Sequence, residues 1–133
     1  MPITALYASL LVPLFLMLAS RVIRARRGAR VAVGDGGDAV LMRRMRVHAN
    51  FAEYVPLALL LLALAESLAT NIWLLHGLGL MLLGGRLTHA FGMSQPEEKF
   101  AFRVAGVGTT FWMMGIAAAA CLYGSISSIA GPG

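Results

Sequence analysis

The sequence is short of charge, of cysteine and of acid. Only 13% of its 133 residues are Asp, Glu, Lys or Arg, against about 25% in an ordinary soluble domain. That is too little to clothe a water-soluble globule, and it excludes a soluble enzyme with its own polar shell. With 59% hydrophobic residues and a mean hydropathy of +0.77, the chain is equally unlike a disordered or low-complexity segment. The lone cysteine, Cys121, excludes an internal disulfide and a cysteine-based zinc site. His48, His76 and His89 have no metal-ligand spacing. His48 and Glu53, five apart, fall about 140° apart on a helix and do not share a metal. No Ser/His/Asp arrangement is present, and the glycines at 34–37 lack the lysine of a phosphate loop. What remains is an all-α membrane protein, one domain over residues 1–133.

Four apolar runs supply the spans, about 3–23, 41–68, 72–91 and 100–123. Each approaches the roughly 20 residues that a bilayer core requires. The second is expected to begin as helix near Ala39, to turn apolar near Ala49 and to kink at Pro56. Gly34, Asp35, Gly36, Gly37 and Asp38 mark a loop, residues 67–71 a tight turn, and Pro96 a break in the last connection. The tail after 123 is small-residue and expected to fray. Long spans with short links predict an up-down-up-down four-helix bundle. Gly77, Gly79, Gly84 and Gly85 on the third helix, and Gly106, Gly108 and Gly115 on the fourth, are candidates for close helix contact.

The 11 basic residues outnumber the 6 acidic ones, for a net charge of +5. All of them flank the first and third connections, from Arg21 to Arg46 and from Arg86 to Arg103, and none flanks the 67–71 turn. Basic residues that border apolar spans follow the positive-inside rule, so nucleic acid is not an expected partner and lipid is. The rule puts both basic connections in the cytoplasm and both termini outside.

The polar residues inside the spans are the functional signal. Arg46, Asn50 and Glu53, at i, i+4 and i+7, lie within about 60° of one another on a helix. Arg43 shares the stripe. An intramembrane carboxylate such as Glu53 needs a cationic partner and marks a site by default. Two compatible readings stand: a structural Arg–Glu pair, or part of a ligand site. Arg26 and Arg30, at i, i+4 with Arg27 between them, are either solvated anchors or anion binders, because guanidinium forks grip carboxylate and phosphate. Arg86, His89 and Arg103 lie at the same end, and together these groups suggest a cationic pocket open to the cytoplasm. His76 is read as a hydrogen-bonded helix residue, Cys121 as packing, Glu66 as an interfacial group that reaches water, and Trp73 and Tyr123 as interfacial aromatics.

The run from Arg46 to Pro56, R-x-x-x-N-x-x-E-Y-x-P, resembles the helix-two motif of the membrane-associated proteins in eicosanoid and glutathione metabolism, the MAPEG family. Ala25-Arg26-Arg27 with Arg30, and Gly85-Arg86-Leu87-Thr88-His89-Ala90 followed by Arg103, agree with it, and the glycine loop looks like its bacterial branch. The likeness runs from about residue 3 to 123. It implies a homotrimer in a bacterial inner membrane, with glutathione as co-substrate between subunits near the cytoplasmic side. By resemblance, Arg26, with Arg27 or Arg30, would hold a glutathione carboxylate. Arg46 and Asn50 would bind the peptide, and Glu53 its ammonium or a neighbouring arginine. Arg86 and His89 would line the pocket, and Arg103 would act catalytically beside the sulfur. The implied activity is that of a glutathione S-transferase or peroxidase on an apolar small molecule that arrives through the lipid. Met93 stands where several of the family's enzymes carry tyrosine. The alternative is a non-catalytic membrane protein that binds an anionic lipid, another thiol or a partner in the same cleft.

Overall fold

The computed structural model describes residues 1–95, 97 and 99–131; Pro96, expected to break the last connection, lies outside them. Four helices account for nearly all of the described chain: α1 (Pro2–Ala29), α2 (Ala39–Ser67), α3 (Ile72–Ser94) and α4 (Phe100–Ile129). Contacts fix their directions. Thr4 at the start of α1 meets Glu66 at the end of α2, and Arg43 at the start of α2 meets Gln95 just past α3. Gly85 of α3 meets Gly106 of α4. Successive helices are therefore antiparallel, up-down-up-down, as the short links require. Each of α2 and α3 packs on every other helix, whereas α1 and α4 flank this central pair without touching one another.

Local chemistry sets the boundaries. Pro2 opens α1, where its missing N–H costs nothing. The helix runs through Arg24–Arg27, past the expected apolar span, because Arg and Ala favour helix and no glycine intervenes before Gly28. It ends on Arg30 in the left-handed conformation, φ 54°. Arg26 and Arg30 therefore do not form the expected i, i+4 pair on one helical face. Gly34, Gly36 and Gly37 take positive φ in the loop, where Asp35 Oδ1 accepts a hydrogen bond from Gly37 N (3.0 Å). Asp38 then caps α2 through Leu41 N at 2.8 Å, and Asn71 caps α3 through Trp73 N at 2.9 Å. α2 runs unbroken through Pro56. The tail does not fray at residue 123: α4 continues to Ile129, with Gly124 lying against Leu68 in the turn between α2 and α3.

Three helices, α1, α2 and α4, are long and apolar enough to cross a membrane. Each turns outward more of its apolar stretch than it buries. Leu6, Leu16, Leu60, Trp112 and Leu122 are among the exposed side chains, an outward face that suits lipid rather than water. α3, the third predicted span, is diluted by His76, Arg86, His89 and its glycines. Those polar groups do not face outward: Arg86 and His89 are buried, and His76 is half-buried against Tyr7.

Only some of the predicted small-residue contacts form. A Cβ on Gly106 would lie 2.6 Å from both Gly85 O and His89 N, so α3 and α4 touch backbone to backbone there. Gly79 yields to the Tyr7 ring. Gly77, Gly84, Gly108 and Gly115 face open space and have no packing role within the chain.

Candidate functional site

The seam between α3 and α4 buries one cation. Arg86 is 1% exposed, and its guanidinium is spread over two neighbouring helices. Nε donates to Thr110 Oγ1 (3.1 Å), Nη2 to the Gly106 carbonyl (3.2 Å) and Nη1 to Asn50 Oδ1 (2.7 Å). Thr110 also donates to Gly106 O at 3.0 Å. A buried guanidinium without hydrogen bonds would be severely destabilising, so this fan of neutral oxygens is what lets the charge sit there. It also locks α2, α3 and α4 at one level. Within one chain the Arg86 guanidinium is thus turned towards Thr110, Gly106 and Asn50.

The bond to Arg86 orients Asn50. Arginine only donates, so the amide oxygen must face it and the amide NH2 must turn away. Asn50 is half-buried, while Arg46 and Glu53, on the same side of α2, are exposed. Helical spacing thus yields an outward ladder: guanidinium, amide donor, carboxylate. Among the described residues Glu53 has no hydrogen bond or ion pair within the chain. The expected intramembrane Arg–Glu pair is not formed within one chain.

The other predicted residues divide by exposure. His89 is buried, one turn along α3 from Arg86, with its backbone against Gly106. Arg103 is exposed in the first turn of α4, and its backbone passes beside Gly92. Arg27 and Arg30 are exposed. Arg26 is half-buried and turned towards its own loop, donating to Gly34 O (2.7 Å), Ala32 O (3.5 Å) and Met45 Sδ (3.4 Å). The structure therefore joins Arg86 to Asn50 and places Arg46, Glu53 and Arg103 on the outside of the bundle. It does not gather these residues around a closed pocket in one chain. Among the described residues no group of His, Cys, Asp and Glu is arranged to hold a metal.

Two features lay outside the sequence reading. Thr110 is fully buried and completes the Arg86 fan; its signal was the spacing Gly106-x-x-x-Thr110 inside an apolar run. Glu66 does not simply reach water: its carboxylate accepts from Ile3 N (3.0 Å), Thr4 N (2.8 Å) and Thr4 Oγ1 (2.7 Å). It caps the first turn of α1 from another helix, where a negative charge meets orphan N–H groups. His76 and Cys121 behave as read: Tyr7 donates to His76 O at 3.1 Å, and Cys121 Sγ to Leu61 O at 3.4 Å.

The family model described as "MAPEG family" matches residues 4–123. The inner membrane protein YecN of Escherichia coli K12 is 37% identical over 109 residues, 82% of each chain, and YecN of an E. coli O6:H1 strain matches equally. No solved structure matches. An Arg-x-x-x-Asn-x-x-Glu ladder on an antiparallel four-helix bundle thus comes with a family match over nearly the whole chain: the protein belongs to the MAPEG family.

Proposed function

We propose that this protein binds glutathione at the outward ladder of α2 and activates its thiolate, which either adds to an apolar electrophile or reduces a peroxide to alcohol and water while two glutathiones are oxidised to the disulfide. The observation that carries the reading is the Asn50 amide, held by buried Arg86 with its NH2 outward between exposed Arg46 and Glu53. Glutathione has two carboxylates and one ammonium. The ladder offers a cation and an amide donor for the acidic and peptide groups, and a carboxylate for the ammonium. Arg103 supplies a fixed positive charge beside the sulfur. Such a charge lowers a thiol pKa from about 8.5 towards neutrality and raises the thiolate that attacks the electrophile.

Arg46, Glu53 and Arg103 lie outside the single bundle, so a second subunit completes the site, and the family's trimer supplies one. The exposed Arg27 and Arg30 of a neighbouring copy are then available for a glutathione carboxylate, with Arg26 bracing the loop beside them. The concentration of basic residues at one end favours a cytoplasmic site with both termini outside, and the named relatives favour the inner membrane. A second reading, binding without thiol activation, is favoured by Met93. It is buried and offers no hydroxyl where several of the family's enzymes carry tyrosine.

The test is a glutathione titration of detergent-purified protein, following thiolate absorbance in the ultraviolet. The expected result is a saturable thiolate band that weakens in affinity with Arg46→Ala and vanishes with Arg103→Ala while binding persists. Binding without a thiolate band would select the second reading. No binding would overturn both.

A further inference from the structure

The cavity at the basic end of the bundle lies elsewhere. About 410 Å³ in volume, it opens between α1, α2 and the end of α3, within the ~300–1,000 Å³ typical of small-molecule sites. Its inner wall is apolar: Leu18, Val47 and Met93, all buried. Arg21, Arg43 and Arg44 also line it, and among the described residues none of its lining is acidic. On α2 this face centres about 105° round from the Arg46–Asn50–Glu53 ladder, and the two faces meet only at Arg43. The arginines are held in place. Arg21 Nη1 donates to Ser94 Oγ at 2.6 Å, Arg43 Nη1 to Gln95 O at 3.2 Å and Arg44 Nη1 to Arg21 O at 3.4 Å. For Arg21 and Arg44 these acceptors are neutral oxygens, so the bonds orient the guanidinium groups without neutralising them. The guanidinium groups of Arg21 and Arg44 each have five N–H donors, and these bonds use one apiece.

We propose that this cavity is a binding site for the phosphate of an anionic phospholipid. The Arg21 and Arg44 guanidinium groups answer the phosphate oxygens, with Arg43 at the rim, and Leu18, Val47 and Met93 answer the first methylenes of the chain. A basic pocket between helices, where apolar spans give way to arginine, is the place where an acidic headgroup sits at its own depth. A freely soluble phosphate would use the arginines and leave the apolar wall without a function. The site is inside one chain, so it needs neither a trimer nor glutathione, and its test is independent of theirs.

The full-length protein in neutral detergent is titrated with dioctanoyl phosphatidylglycerol, dioctanoyl phosphatidylcholine and inorganic phosphate, with native mass spectrometry and thermal unfolding as readouts. Phosphatidylglycerol is expected to saturate one site per chain, at least about tenfold tighter than phosphatidylcholine. Arg44→Gln should weaken it about fivefold, the worth of one basic residue at such a surface, and Arg44→Lys should retain most of the affinity. Val40→Trp, at an exposed lining position where folding is not at stake, should block binding. Arg24→Gln, an equal charge loss at an exposed residue off the cavity, should change affinity by less than about twofold. Equal binding of the two lipids would overturn the proposal, as would an Arg24→Gln loss matching that of Arg44→Gln, which would mean diffuse surface charge. Displacement of phosphatidylglycerol by inorganic phosphate at equal concentration would make the occupant a soluble anion and overturn the lipid assignment.

Discussion

The two ends of the bundle treat polar groups in opposite ways. At the end formed by the start of α1, the end of α2 and the start of α3, polar side chains are few and answered from within the chain. Glu66 holds the first turn of α1, Tyr7 bonds His76, and Asn71 caps α3. At the other end the arginines outnumber any acid that could answer them. Arg26, Arg43 and Arg44 bond to backbone oxygens, while Arg27, Arg30 and Arg46 are exposed. A polar group that the chain satisfies itself is there for the fold. A surplus of one charge held on rigid helices is there for something outside the chain. Arg86 sits between these cases, a cation of the basic half that the chain has fully absorbed.

The sharpest way to break this comparison is at Arg86. Arg86→Ala would strand Asn50, remove a donor from Thr110 and leave a cavity, and should cost about 3–5 kcal/mol. Thermal unfolding in detergent checks it. A variant that unfolds as the wild type does would return Arg86 to the exposed class. Next comes the seam itself. Gly106→Ala pushes a methyl against Gly85 O and His89 N, backbone atoms that cannot step aside, and should destabilise by about 1–3 kcal/mol. Gly108→Ala and Gly115→Ala, in open space, should be neutral or slightly stabilising, because Ala outranks Gly in a helix by up to about 1 kcal/mol. Glu66→Ala, which deletes three hydrogen bonds at the start of α1, should cost about 1–2 kcal/mol. It should also speed hydrogen exchange at the amides of Ile3 and Thr4, with the basic end unaffected. The smallest stability effect is expected at Arg46. Arg46→Ala should leave unfolding within about 0.5 kcal/mol of wild type while lowering glutathione affinity about tenfold. A large loss of stability there would make the ladder a structural device.

Legibility followed the same division. The three hydrophobic helices and the antiparallel order could be read because span length and link length leave few alternatives. Of the missed boundaries, α1 reaches Ala29 where hydropathy changes but helix propensity does not, whereas α4 reaches Ile129 through weak helix formers, with Gly124 packed against Leu68. The face shared by Arg46, Asn50 and Glu53 was legible, since it depends only on helical spacing. The separation of Arg86 from Arg103 was not. Both are arginines near one end, and only packing against Gly106 and Thr110 takes the first inside while the second stays out. The cavity between α1, α2 and α3 was likewise hidden, because its arginines come from two helices and read one by one as ordinary flanking charges.

The sequence by itself determined that the chain is helical, suited to lipid, and charged at one end, because these properties are sums over neighbouring residues. Tertiary structure decided which glycines touch, which arginine is buried and what Glu66 holds. Each depends on one atom meeting another across some twenty to sixty positions of sequence, and such meetings are set by how whole helices pack.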